Sequence, residues 1–195
     1  YFQAVGSGTG AIAAWEANLR LIRDGRYGNR RMKLMVSQNK PFQPIYDAWK
    51  AGSRDMLPLS DEMAREQVME IMAKVLSNRK PPYSLTGGLF DAMSDAGGDV
   101  LLASNEEAVK AAKLFEETEG IDIHPAAAVA TATLINAVKE KQVEKDALIM
   151  LNITGGGEER FKSENELHYL KPSIVFDIDP EPPEVQEKLK DLFSA

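Results

Sequence analysis

Phe2-Gln3-Ala4-Val5-Gly6-Ser7-Gly8-Thr9-Gly10-Ala11 passes from a short apolar stretch through three alternating glycines. It leads into Ile12, Trp15, Leu19 and Ile22 at helical spacing, with Gly25 placed to end the helix. The ten residues hold a strand, a tight turn and the start of a helix. Glycines carry no Cβ, so backbone N–H groups there can approach an anion, and the start of a helix adds positive potential. Ser7 and Thr9 add two hydroxyl donors. Phosphate is the ligand such a loop suits; a strand-to-helix turn with no ligand is the competing reading.

Further strands and helices alternate along the chain. Residues 32–36 read as a strand. Residues 39–59, broken by Pro41, Pro44 and Pro58, read as irregular. Ser60 caps a helix with Asp61 and Glu62 in its first turn and Val68, Ile71, Met72, Val75 and Leu76 as its buried stripe. Residues 81–98 are looser, with Gly87-Gly88 and a short helix over residues 89–93. Residues 99–103 read as a strand, Ser104-Asn105-Glu106-Glu107 as a capping box, and the helix it opens ends near Gly120. Pro125 stands where a first helical residue belongs, and residues 126–138 follow with little bulk. Residues 147–153 read as a fully apolar strand ending in Thr154-Gly155-Gly156-Gly157. Residues 173–178 are a last strand candidate. A terminal helix follows, with Val185, Leu189, Leu192 and Phe193 inward. Apolar strands separated by helices imply an α/β fold, a mostly parallel sheet with helices on both faces. Ligands in such sheets bind beyond the carboxyl ends of the strands, which puts both glycine motifs on one rim.

Composition narrows the chemistry. The chain has 195 residues, no cysteine and a formal charge of −7. Disulfide scaffolds, thiolate metal sites and cysteine nucleophiles are excluded. An acidic balance argues against a nucleic-acid partner. No apolar run reaches the ~20 residues that span a bilayer, since Thr131, Thr133 and Asn136 interrupt the longest one. Tyr1 to Gly10 has no basic start before an apolar stretch, so no signal peptide is read, and a cytoplasmic protein is expected. The chain opens without Met. Either it is the later portion of a longer polypeptide, or Tyr1-Phe2-Gln3 is the end of a cleavage tag, which the triplet also matches.

A nucleoside-triphosphate loop is excluded, because no Gly-Lys-Ser/Thr closes the run. The dinucleotide fingerprint is nearly met by Gly6, Gly8 and Ala11. It also calls for an acid about 20 residues on, at the end of the next strand. Here that strand runs into Val36-Ser37-Gln38, and Asp24 falls at a helix end, which weakens the nicotinamide reading without removing it. His124 and His168, the two histidines, belong to no metal or triad motif; His124 reads as orienting the turn before Pro125. Glu158, Glu159, Glu164 and Glu166 read as solvated, Lys50 and Arg54 as facing water, and Met63, Met69 and Met72 as packing.

Gly-Ser-Gly-Thr-Gly after a strand, Glu119-Gly120-Ile121 followed by Pro125-Ala126-Ala127, and a strand ending in Thr154-Gly-Gly-Gly resemble the later half of pyridoxal-phosphate enzymes of the tryptophan synthase β type (fold type II). The order is similar to the threonine synthase branch. Within that branch, Val36-Ser37-Gln38-Asn39, residues 44–50 and Pro82-Tyr83-Ser84 with Gly87-Gly88-Leu89-Phe90-Asp91-Ala92 resemble the cysteate synthases. Those enzymes join phosphoserine and sulfite on an archaeal route to coenzyme M.

The resemblance implies that Gly6, Ser7, Gly8, Thr9 and Gly10 cradle the phosphate of pyridoxal 5'-phosphate, that Thr154 faces its ring nitrogen, and that Glu119 lies near its rim. A hydroxyl donor leaves the ring a moderate electron sink, suited to elimination and replacement. Phosphoserine and sulfite would be the small anionic substrates, with a homo-oligomer as the full-length assembly. The family's Schiff-base lysine precedes the phosphate loop, and no lysine here has that context. Residues 1–195 are therefore expected to be mostly the large cofactor-binding domain, without the N-terminal half that carries the lysine. No catalytic residue is assigned in the chain, which alone is expected to be inactive. Threonine synthesis from phosphohomoserine and a non-catalytic phosphate- or nucleotide-binding module are the alternatives.

Overall fold

The computed structural model describes residues 1–176 and 180–193. The chain forms two compact units, Tyr1–Phe161 and a second beginning at Lys162. Three parallel strands, β1 (Phe2–Ala4), β2 (Met35–Asn39) and β3 (Asp99–Ala103), lie in that order in one sheet. Phe2 pairs with Met35, and Met35 with Asp99. Parallel neighbours need crossovers, and helices supply them. α1 (Thr9–Asp24) joins β1 to β2. Between β2 and β3 lie α2 (Pro44–Lys50), α3 (Asp61–Glu70), a short 3-10 turn (Lys74–Leu76) and α4 (Leu89–Ala96).

Alternation along the strands divides the core. Val5, Val36 and Val100 pack with Ala11 of α1, Ile45 and Ala48 of α2, and Leu89, Ala92 and Met93 of α4. Phe2, Ala4, Met35 and Ala103 turn to the other face, covered by α5 (Asn105–Glu119) and α6 (Pro125–Lys139). The expected α/β architecture with both faces covered is present. The alanines of α6 explain its close approach: residues 126–133 are all buried. Thr133 Oγ1 donates to the Ala130 carbonyl at 2.9 Å, so it accepts from Ser37 Oγ of β2 at 2.6 Å. α7 (Glu158–Glu164) and α8 (Pro182–Phe193) complete the helices.

Several expectations fail for identifiable reasons. Residues 39–59 are not wholly irregular: Pro44 opens α2, where a missing N–H costs nothing, and Ile45 and Ala48 bury one face. The strand expected over residues 32–36 begins only at Met35. Before it, Met32 N–H donates to Asn18 Oδ1 of α1 at 3.0 Å, outside the ladder. α3 stops at Glu70, because Asn105 takes the Glu70 carbonyl at 2.8 Å and the Met72 amide at 3.0 Å, pulling residue 71 into extended backbone. Val75 consequently points to solvent, while Ile71 and Leu76 stay buried.

Residues 147–153 hold no regular strand. Leu151 alone bridges Phe2, and Leu148, Ile149 and Met150 are exposed. Residues 173–176 are coil, and 177–178 lie outside the described residues. α8 exists, but Leu189, Leu192 and Phe193 are exposed rather than inward. Met63 and Met69 are likewise exposed rather than packed. Lys50 and Arg54 are paired, not free: Lys50 with Asp99 at 2.7 Å, Arg54 with Asp91 at 2.6 Å. Among the described residues no helix is long and apolar enough to cross a membrane.

Candidate functional site

β1 runs straight into residues 6–10. Phe2 and Leu151 pair in parallel, so the chain beyond Leu151 sets out in the same direction as β1. The two glycine motifs therefore emerge at the same end of the sheet.

The first motif is shaped from beneath. Gly8 is the N-cap of α1 at φ +81°, a backbone that disfavours any side chain, and a Cβ there would lie 2.7 Å from Leu89 Cδ2. A Cβ on Gly6 would meet the Val75 carbonyl at 3.1 Å, and one on Gly10 would meet Gln3 Nε2 at 2.5 Å. No side chain caps α1, and its first turn holds no acid. The nearest substitute is long: Thr9 N–H reaches Ser7 Oγ at 3.4 Å, while Ser7 Oγ and Thr9 Oγ1 share a 3.0 Å bond. Helix geometry leaves the first-turn amides without carbonyl partners. Thr9 and Gly10 are exposed, so those donors and the helix potential face outward. The loop offers an anion neutral donors and no basic side chain.

A buried amide network steadies the floor. Asn39, fully buried at the end of β2, donates to the Ala103 carbonyl and to Asn105 Oδ1, both at 3.1 Å, and accepts from Ala73 N–H at 3.1 Å. It thereby fixes residues 70–76, the segment against which Gly6 packs. Sequence reading missed this role; the signal was a polar residue closing an otherwise apolar strand. A second polar line runs beside β1. Asn152 Nδ2 donates to the Tyr1 hydroxyl, which donates to Gln3 Oε1, each at 2.9 Å. Burial pushes the Tyr1 phenol up, with the Asn152 bond working the other way.

Thr154 is exposed, and its hydroxyl has no hydrogen-bond partner among the described residues. The glycines after it are held against residues 121–124. Gly155 accepts from His124 N–H at 2.9 Å, Gly156 bridges Ile123, and Gly157 N–H donates to the Asp122 carbonyl at 2.8 Å. Asp122 Oδ2 accepts from Glu158 N–H at 3.0 Å and Glu159 N–H at 3.3 Å. Burial opposes ionisation of Asp122, but these amides outweigh it and hold the carboxyl below the usual range. His124 does sit at the turn before Pro125, as the N-cap of α6, and its Nε2 also lies 3.1 Å from Glu158 Oε2. Glu119 is the exposed last residue of α5 and reaches this cluster only through the turn that follows it.

These residues fit pyridoxal phosphate. An uncapped helix start suits its phosphate, and a free hydroxyl on the same rim suits its ring. Residues 1–155 match the family model described as pyridoxal-phosphate dependent enzyme. The chain is 51% identical over 175 residues to the cysteate synthase of Methanocella paludicola, covering 89% of this chain and 41% of that protein. To the cysteate synthase of Methanosarcina mazei it is 52% identical over 176 residues, covering 90% and 42%. The chain thus spans about two fifths of the length of these relatives. Serine racemase from Dictyostelium discoideum shares the fold, with a TM-score of 0.54 at 18% identity over 80% of this chain and 42% of that one. From the sheet, its two glycine motifs and this match over residues 1–155, the chain belongs to the pyridoxal-phosphate dependent enzyme family.

Proposed function

We propose that the full-length protein is a pyridoxal-phosphate dependent synthase that converts phosphoserine and sulfite into cysteate and phosphate. The Cβ–O bond to phosphate breaks, a C–S bond to sulfite forms at the same carbon, and the leaving group carries away the oxygen. The observation that carries the reading is the uncapped, acid-free start of α1 behind three packed glycines. Identity of about half to proteins named cysteate synthase directs the choice of substrates.

Bound pyridoxal phosphate supplies an electron sink for the substrate's α-carbon. The chain's own residues bind and orient. The amides of residues 6–10 with the hydroxyls of Ser7 and Thr9 hold the phosphate, the glycines allowing close approach. Thr154 donates one neutral hydrogen bond to the ring nitrogen, which tempers the sink and favours replacement over transamination. Glu119 borders the cofactor's rim. In this reading none of the lysines in residues 1–195 serves as the family's cofactor-binding lysine. These residues therefore contribute most of the large domain and no complete catalytic site, and alone release no phosphate from phosphoserine.

The test is product analysis with the full-length protein and pyridoxal phosphate. Cysteate and phosphate should appear in equal amounts from phosphoserine and sulfite. Threonine from phosphohomoserine with no cysteate would overturn the substrate choice and leave the cofactor role standing.

A further inference from the structure

Thr154 has an unusual support. Its side chain holds onto nothing, and three consecutive glycines follow it, the residue type that loses most backbone freedom on ordering. On its other side the chain is bonded to β1 around Leu151, where Phe2 N–H donates to the Met150 carbonyl and Asn152 N–H to the Phe2 carbonyl, both at 2.9 Å, and Leu151 and Ile153 pack against the core. What fixes the later side is residues 121–124.

Asp122 grips twice. Its carbonyl accepts from Gly157 N–H at 2.8 Å, and its carboxylate accepts from Glu158 N–H at 3.0 Å and Glu159 N–H at 3.3 Å. His124 also grips twice. Its N–H donates to the Gly155 carbonyl at 2.9 Å, and its ring lies so close to Gly155 that a Cβ there would fall 2.7 Å from Nδ1. A Cβ on Gly156 would fall 2.3 Å from the Asp122 carbonyl oxygen. Two of the three glycines are therefore small because this clasp occupies the space of a side chain.

We propose that Asp122 and His124 are positioning residues for Thr154, holding the loop of residues 155–157 so that the Thr154 hydroxyl keeps one pose toward the cofactor ring. This rests on the reading of Thr154 given above. Neither residue touches the reacting atoms. Their effect passes through one hydroxyl, and a donor must be held within a fraction of an ångström to keep its bond.

The test is a double-mutant cycle on the full-length apoprotein titrated with pyridoxal phosphate, using Asp122→Ala, Thr154→Val and both together. Asp122→Ala should weaken cofactor binding about fivefold, the factor that one ordinary hydrogen bond carries, and shift the cofactor absorption band as Thr154→Val does. In the Thr154→Val background it should change neither. His124→Ala, which deletes the ring and keeps the backbone bond, repeats the cycle should Asp122→Ala fold poorly. Asp122→Asn, which keeps an acceptor oxygen, should restore wild-type binding. Hydrogen exchange at residues 157–159 should quicken in Asp122→Ala while α6 keeps its protection. Equal weakening in both backgrounds, or none in the wild type, overturns the positioning role alone. A Thr154→Val protein with wild-type affinity and spectrum overturns the Thr154 reading and this one with it.

Discussion

Two strand-to-helix junctions stand at the same end of this sheet and are built oppositely. Where β3 enters α5, Ser104 Oγ accepts from Glu107 N–H and the Glu107 carboxylate accepts from Ser104 N–H, with Glu106 beside it in the first turn. Asn136 of α6 donates to the same Glu107 at 2.9 Å. Where β1 enters α1, a left-handed glycine stands at the N-cap with no side chain to accept, Ser7 Oγ reaches Thr9 N–H only at 3.4 Å, and the first turn holds no acid. Both helices are long, at 15 and 16 residues, so both carry similar end potentials. The protein satisfies one from within and leaves the other without an internal cap, which is where the proposed phosphate site lies. The proposal for the loop thus rests on the partners that this helix start lacks more than on its glycines, which also answer to Leu89, Val75 and Gln3.

Making the open junction resemble the closed one should produce the largest effect. Thr9→Asp places an acid in the first turn of α1. The apoprotein should gain about 0.3–1 kcal/mol of stability from the helix dipole. Affinity for pyridoxal phosphate should fall more than about tenfold, since like charges meet and a donor is lost. Thermal melting and cofactor titration of the full-length protein read the two together, and opposite signs are the expected signature. This substitution separates binding from folding better than a bulky residue at Gly8, where positive φ and the Leu89 contact damage the fold whatever the loop binds.

Opening the closed junction is the milder change. Ser104→Ala removes a capping box and should cost about 1 kcal/mol of stability, with cofactor affinity unchanged. Unequal denaturation midpoints with equal titration curves would confirm that this end serves the fold alone.

The smallest effect is in acid. Hydrogen bonding from the Ser104 amide, opposed by burial and aided by the Ser104 and Asn136 side chains and Lys40, lowers the Glu107 carboxyl from its ordinary value. A group whose folded pKa is depressed stabilises above its unfolded value, near ~4.3, and loses that contribution as pH falls through the folded value. Glu107→Gln should therefore flatten the fall in stability below about pH 4. An unaltered acid profile would show that the cap does not titrate with the fold.

The difference between the junctions was half legible in the sequence. Ser104 to Glu107 announces its own closure within four residues, and the glycines announce an opening. Pro125 marks the start of α6 in the same local way. What escaped was set by distant partners. The end of α3 depends on Asn39 and Asn105, which meet only when β2, β3 and α5 are assembled. The clasp of Asp122 and His124 on residues 155–157 joins segments more than 30 positions apart. The apolar run at 147–153 looked like a buried strand because hydrophobicity records what a segment can bury, not whether a neighbour covers it.

The central claim is that residues 6–10 bind the phosphate of the cofactor, and comparing pyridoxal phosphate with pyridoxal tests it most directly. Both are titrated into full-length apoprotein, wild type and Ser7→Ala/Thr9→Ala, with melting temperatures checked in parallel. The account predicts that the double variant loses at least about tenfold in affinity for pyridoxal phosphate, the scale of hydrogen bonds to a charged group, while pyridoxal binds as it does to the wild type. Equal weakening of both ligands, or an unchanged preference for the phosphorylated one, would place the phosphate elsewhere and contradict the account.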